Sequence, residues 1–254
     1  MKLNYKKVGE GTPLIILHGL FGSLDNWMSI AKELSTDFEV FLVDERNHGQ
    51  SPHSNEFSYE VMAEDLFEFI QEHNIINPIV LGHSMGGKTA MQFAMNYPGS
   101  LSKLIVADIA PKAYPVHHRQ IIDGLLSLNF EVIKTRQEAD VQLSKHISDL
   151  SVRQFLLKNL YWIEQGKLAW RFNLSVINDN IDMVGVGLKN INIFSKPTLF
   201  VRGEKSNYVL DSDFEEIKKI FSDAKIETIS NSGHWVHAEN PTEFLQIVKS
   251  FLMS

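Results

Sequence analysis

The sequence predicts an α/β fold, a mostly parallel central sheet flanked by helices and interrupted by an inserted helical cap. Over the first hundred residues, short β-rich apolar runs alternate with longer segments of helical period, the pattern of a parallel sheet with crossover helices. From about Pro111 to Lys189 the alternation lapses, and helical patterns such as RQIIDGLLSL and VRQFLLKNLYWI follow one another with no clear strand between them. Strand signals return at KPTLFVRG. The division expected is a core of residues 1–110 and 190–254 around a cap of residues 111–189.

Taken in order, PLIILHG (13–19) reads as a strand ending in glycine, and DNWMSIAKELS (25–35) as a helix with Trp27, Ile30, Ala31 and Leu34 on one face. FEVFLVDERNHG (38–49) is a second strand and loop. Ser58 is placed as the N-cap of a helix whose apolar stripe is Met62, Leu66, Phe69 and Ile70. PIVLGHS (78–84) is a third buried strand, MGGKTAMQFAMNYP a helix stopped by Pro98, and Leu101 to Ile109 a fourth strand. After the cap come a strand in KPTLFVRG, a helix at DSDFEEIKKIFSD, a strand at KIETIS and a last helix in NPTEFLQIVKSFL.

Composition bounds the function. A chain of 254 residues, 44% hydrophobic and 22% charged, is long enough for one sizeable core with a subsidiary cap. A net charge of −7 argues against the clustered basic footprint of a nucleic-acid binder. With no cysteine, disulfides, thiolate metal sites and cysteine nucleophiles are excluded. The N-terminal apolar run, Pro13 to Leu17, is too short for a signal core or a membrane span, so the expected location is the cytoplasm. No carboxylate accompanies the histidines at metal-binding spacing, so no metal is expected. Nothing in the sequence sets an oligomeric state.

The chemistry starts at Gly82, His83, Ser84, Met85, Gly86, which fits the nucleophile-elbow pattern G-x-S-x-G, with a strand before and a helix after. A serine on so sharp a turn is thrust above the sheet, and side chains two residues to either side would collide with the turn. The helix N-terminus behind it favours negative charge on a tetrahedral intermediate. The loop His18, Gly19, Leu20, Phe21, Gly22 follows the first strand, where such folds bring a backbone N–H to the oxyanion. Leu20 and Met85 are assigned as the donors, with Phe21 the near alternative. The base is assigned to His234, which follows the last strand, precedes the last helix and comes after the nucleophile in chain order. His237 reads as a supporting or capping residue. His83 is expected to pack or hydrogen-bond below the elbow; with Phe21 and Trp235 it is also assigned to substrate contact. His18, His48 and His53 read as structural histidines, His117 and His118 as solvated or rim residues, and Asp44 with Arg46 as an ion pair or turn.

The combination HGLFGS, VDERNHGQSPH, GHSMGGKTAM, VADIAP and SGHWVHAENP resembles the α/β-hydrolase superfamily over nearly the whole chain, and is similar to the YbfF-type esterases and their ABHD11-like relatives. The resemblance implies hydrolysis of carboxylic esters or acyl thioesters, possession of a helical cap, and no cofactor. The alternatives are a carbon–carbon bond hydrolase or lyase of the same fold, or a non-catalytic ligand-binding homologue. In many such hydrolases an aspartate follows the strand that here reads TLFVRG; this chain has Ser206 in that turn. A neutral serine cannot stabilise an imidazolium by charge, so the acid is assigned to Asp108, at the end of the strand next after the elbow helix. Glu204 and Asp211 stay open as rivals, Asp211 reading more simply as a helix N-cap. Tyr114, Phe130, Tyr161, Trp162, Trp170 and Phe172 read mainly as the cap's own core.

Overall fold

Every strand of the central sheet except its two edges carries apolar side chains on both faces, so the sheet needs a helical layer on each side. In the computed structural model, which describes residues 1–116 and 118–254, the chain starts with β1 (Tyr5–Val8), β2 (Thr12–Leu17), α1 (Met28–Leu34) and β3 (Phe38–Val43). It continues through α2 (Tyr59–Glu72), β4 (Ile79–His83), α3 (Met85–Asn96) and β5 (Lys103–Ala107). A long insertion then holds α4 (Arg119–Leu126), α5 (Arg136–Leu143), α6 (Leu150–Leu157), the hairpin β6 (Leu160–Glu164) and β7 (Lys167–Trp170), α7 (Leu174–Asp179) and α8 (Ile181–Val184). The sheet resumes with β8 (Thr198–Gly203), α9 (Phe214–Ile220) and β9 (Ala224–Ile229), and α10 (Val236–Glu239) and α11 (Pro241–Met253) finish the chain.

The seven-stranded sheet has the order β1-β3-β2-β4-β5-β8-β9. All its pairs are parallel except β1 with β3. Alternate residues divide cleanly: Leu14, Ile16, Val40, Leu42, Leu81 and Ile105 pack under α1 and α11, while Ile15, Leu17, Phe41, Val43, Val80 and Leu104 pack under α2, α3 and α9. Each fully buried Leu, Ile or Phe of these layers contributes about 1.5–3 kcal/mol. The parallel register sends the loops after β2, β3, β4, β5, β8 and β9 to one edge, where ligand sites on such sheets form. Ser58 caps α2, its Oγ accepting from the Val61 N–H at 3.4 Å.

Two strand features depart from the sequence reading. β1 was not anticipated: it is four residues long, two of them lysines, and exists by antiparallel pairing with β3. The segment read as the continuous helix VRQFLLKNLYWI breaks after Leu157, and Leu160 to Trp170 form a hairpin turning at Gly166, whose φ is +80°. Tyr161, Trp162 and Ile163 favour a pleated strand, and glycine allows the left-handed turn.

Two polar assignments also change. Arg46 pairs with Asp65 (Nε to Oδ2 2.6 Å, Nη2 to Oδ1 2.9 Å), not with Asp44. The Asp44 carboxylate instead accepts from Leu24 N–H, Gln50 N–H and Asn4 Nδ2, stitching three loops together. Asp211 does not cap the helix; it is exposed and pairs with Arg202 at 2.6 Å. The buried carboxylate there is Asp213, which accepts from Leu210 N–H and Lys112.

The two ends of the insertion lie side by side. Tyr114 N–H donates to Gly185 O at 2.7 Å and Leu188 N–H to Pro111 O at 3.0 Å. Lys88 on α3, fully buried, sends its ammonium to the carbonyls of Pro111 (3.3 Å), Lys112 and Val186 (2.9 Å). Burial, with Lys112 nearby, pushes this lysine down to about 7. Among the described residues no helix is long and apolar enough to cross a membrane.

Candidate active site

The turn between β4 and α3 holds Ser84 at φ 52° and ψ −114°. This left-handed backbone is unfavourable for a side-chain-bearing residue, costing of order 1–3 kcal/mol, and it persists because its surroundings over-determine it. Ser84 N–H donates to Ala107 O (3.0 Å) and Gly86 N–H to His18 O (3.1 Å), tying the elbow to β5 and to the loop after β2. A Cβ built on Gly82 would lie 2.1 Å from the carbonyl oxygen of Gly86, and one built on Gly86 would lie 2.5 Å from the carbonyl oxygen of His18, which is why both positions are glycine.

Three side chains from three loops meet here. His234 Nε2 lies 2.9 Å from Ser84 Oγ, and its Nδ1 lies 2.7 Å from Asp108 Oδ2. Asp108 is fully buried and also sits at positive φ (50°). Its Oδ1 accepts the Gly203 N–H at 3.0 Å, and its Oδ2 also accepts the Ser206 hydroxyl. The turn after β8 therefore supplies no carboxylate to His234 but holds the one that Asp108 brings. Of the rivals, Glu204 accepts from Asn231 N–H at 2.7 Å and Asp211 is engaged with Arg202.

The loop after β2 is braced by two buried histidines. His18 donates from Nδ1 to Gly19 O and accepts the Glu45 N–H at Nε2; His48 donates from Nδ1 to Arg46 O and accepts the Phe21 N–H at 3.1 Å. Burial lowers His18 to about 4 and, with His18 alongside, His48 to about 3, so both are neutral struts. The Phe21 amide is thus engaged, and Phe21 is a third residue of the site at positive φ (58°). Among the described residues the N–H groups of Leu20 and Met85 donate to no protein acceptor.

Beside Ser84 opens a cavity of about 210 Å³. Leu20, Phe21, Trp27 and Trp235 line it from the sheet domain; Ile121, Val152, Phe155 and Leu156 line it from the insertion. Among the described residues no lysine, arginine or carboxylate lines it, so its wall favours uncharged, apolar groups.

A family model described as alpha/beta hydrolase fold matches residues 12–134. A Mus musculus protein named sn-1-specific diacylglycerol lipase ABHD11 is 39% identical over 247 residues, covering 94% of this chain and 80% of its own length. The chain belongs to the α/β-hydrolase family. Esterase YbfF of Escherichia coli (strain K12) is 35% identical, with 99% of each chain covered. A solved structure described as a marine microorganism esterase superposes with a TM-score of 0.96 at 48% identity, covering 98% of this chain and 99% of that one.

Within this α/β-hydrolase framework the remaining assigned residues hold different positions. His83 borders the cavity, yet its ring is buried and its Nε2–H donates to the His234 carbonyl at 2.8 Å, so it steadies the backbone of His234. Trp235 stands at the cavity wall with its ring 5.6 Å from that of Phe155. His237 is buried and stacked on Trp27 at 3.9 Å. His53 reaches Arg171 O from an exposed position, His118 lines the cavity, and His117 lies outside the described residues. None of the six cap aromatics lines this cavity; Phe130, Trp170 and Phe172 pack on one another, and Trp162 is half exposed. The lining residues of α4 and α6 escaped sequence reading because they sit on the same apolar stripes that dock those helices. Tyr208 was missed as well: its ring stacks on His234 at 3.9 Å and 20°. The available signal was an aromatic two residues beyond Ser206.

Proposed function

We propose that the protein is a serine esterase that hydrolyses carboxylic esters and acyl thioesters of short to medium acyl chains through an acyl-enzyme, with Ser84, His234 and Asp108 as its triad. That it is a carboxylic ester hydrolase agrees with relatives named esterase and lipase over nearly the whole chain. The observation that carries the mechanism is the unbroken run Ser84 Oγ to His234 Nε2 and His234 Nδ1 to Asp108 Oδ2, at 2.9 and 2.7 Å. Ser84 attacks the carbonyl carbon as His234 takes its proton, and Asp108, fully buried, holds the imidazole in the Nδ1–H tautomer and balances the imidazolium. The carbonyl oxygen, now an oxyanion, takes hydrogen bonds from the uncommitted N–H groups of Leu20 and Met85. His234 then hands the proton to the leaving oxygen or sulfur, and a water activated by the same histidine releases the acid.

The apolar cavity receives the acyl chain, with Phe21 and Trp235 in contact with it and the helices at 111–189 as its roof. We place this work in the cytoplasm, on a small-molecule substrate, in keeping with a cysteine-free chain. The test is hydrolysis of p-nitrophenyl butyrate by the wild type and by Ser84→Ala, together with fluorophosphonate labelling. The wild type turns over and is labelled; Ser84→Ala is unlabelled and loses about five to six orders of magnitude in kcat. A folded Ser84→Ala with near-normal turnover would overturn the serine mechanism.

A further inference from the structure

We propose that Tyr208 is a positioning residue for the base: its ring holds the His234 imidazole in register with Asp108 and favours the imidazolium that forms as Ser84 gives up its proton. The proposal rests on the serine mechanism above and adds a residue to it.

The ring planes of Tyr208 and His234 lie 20° apart with centroids 3.9 Å apart, a stacked contact on the imidazole face. The tyrosine is itself fixed at several points. Its N–H donates to Ser206 Oγ at 3.2 Å, its carbonyl accepts the Tyr114 hydroxyl at 2.6 Å, and the Tyr114 ring stands 5.4 Å from its own. Tyr114 Oη in turn accepts the Ala110 N–H at 2.8 Å, which returns the chain of contacts to the loop that carries Asp108. One short turn after β8 thus supports the acid with Gly203 N–H and the Ser206 hydroxyl, and the base with an aromatic face.

An aromatic face carries negative quadrupolar charge and attracts a cation set over it. The neutral imidazole gains little from that field; the imidazolium of the transition state gains more. Only an interaction that strengthens on the way to the transition state raises kcat. Burial and the nearby Asp108 keep the Tyr208 phenol neutral by pushing it up to about 12.

The other titratable groups around His234 do not supply this effect. Asp108 holds the ring edge at Nδ1, and Ser84 is the proton donor at Nε2. His83, 4.8 Å away, is lowered far below its ordinary value by burial and by the neighbouring His234 and His237, so it stays neutral. His237 is likewise lowered, to about 3, by burial and then by His234. His118 faces the cavity from the insertion.

The test uses full-length Tyr208→Leu, Tyr208→Met and Tyr208→Phe, each checked for folding by thermal melt, with kcat and KM for p-nitrophenyl butyrate measured from pH 5 to 9. The ring-free variants lose about 5- to 30-fold in kcat with KM within twofold, and the acid limb of their kcat/KM profile moves to lower pH by about half to one unit. Tyr208→Phe keeps both the rate and the limb. Two ring-free variants are made so that poor folding of one leaves the other to decide. An unmoved limb with wild-type kcat, a change in KM alone, or a Phe variant as poor as Leu would each overturn the proposal. Fluorophosphonate labelling of the wild type separates two failures: no label at Ser84 removes the serine mechanism, whereas labelling with an unmoved limb removes only the role of Tyr208.

Discussion

Replacing Asp108 by asparagine changes one charge in a site otherwise prepared to accept the new side chain. The amide oxygen takes the Gly203 N–H, and the amide nitrogen faces Ser206 Oγ and His234 Nδ1, the two groups now bonded to Oδ2. Both can accept from it, so the fold survives. The imidazole, however, must then present a bare Nδ1 to the amide and carry its proton on Nε2, facing the Ser84 oxygen it should deprotonate. The electrostatic loss alone is considerable: a carboxylate and an imidazolium with charge centres about 4 Å apart interact by about 4 kcal/mol at an effective dielectric of about 20. At about 1.4 kcal/mol per decade that is about 10³ in rate, and the wrong tautomer brings the expected loss to about 10³–10⁴ in kcat. The assay is steady-state p-nitrophenyl butyrate hydrolysis with a thermal melt of each variant, beside Glu204→Gln and Asp211→Asn. Those two keep kcat within about threefold, because one carboxylate is spent on Asn231 N–H and the other lies exposed beside Arg202. If Asp108→Asn stays within tenfold of wild type while Asp211→Asn collapses, the assignment of the acid is wrong.

The buried histidines set an acid limit on stability. His18, His48, His83 and His237 are all lowered by burial, to about 4 for His18 and about 3 for His48 and His237. Unfolded, each binds a proton near pH 6.5, so below that pH the unfolded state holds more protons and stability falls. At pH 5 the four together cost about 8 kcal/mol, while buried Glu45, pushed up to about 8 by burial, returns about 2–3 kcal/mol between pH 7 and 5. The expected net loss of about 5 kcal/mol, read by urea unfolding at the two pH values, rivals the whole stability of many domains; equal midpoints would show that these histidines are not buried neutral. Gly82→Ala places a Cβ 2.1 Å from Gly86 O and 2.7 Å from Gly87 N, all backbone, so the elbow must open. It should cost about 3 kcal/mol or more and abolish activity; wild-type melting and turnover would mean that the turn is loose enough to take a side chain.

What was legible in the sequence was what short range controls. The elbow is written in five consecutive residues around Ser84, and the parallel sheet in apolar runs whose neighbours in space are helices a few residues away in sequence. The contact of Asp108 with His234 was reachable by an argument of charge, since the usual turn carries Ser206 in place of an aspartate. The hydrogen bond from Ser206 to Asp108 was not, because the two residues lie 98 positions apart and meet only when β5 pairs with β8. The β6–β7 hairpin was hidden by Leu156, Leu157 and Leu160, which continue a helical stripe through the break and bury their side chains in the same cluster. The Arg46 pairing went astray for a related reason: Asp65, on α2, lies 19 residues from Arg46, whereas Asp44 is two residues away and spent on backbone amides.

The insertion leaves and rejoins the sheet domain through a single doorway, and what guards it is backbone. The acceptors of Lys88 at Pro111, Lys112 and Val186 are main-chain carbonyls, and the two strands passing through are joined by main-chain bonds at Tyr114–Gly185 and Leu188–Pro111. The hydrogen bonds of the latch therefore read no side chain of the segment it closes, and among the described residues the one side chain of that segment under the Lys88 ammonium is the Tyr114 ring, 5.2 Å away. Chain closure is also forgiving of length, each doubling of a flexible loop costing only about 0.6 kcal/mol. A segment of different sequence or size whose ends meet at this doorway would be received by the same lysine while Ser84, His234 and Asp108 stay where the sheet puts them. The segment above the site can thus diverge in evolution, or be exchanged by a protein engineer, as a cassette lifted in and out above an unchanged floor.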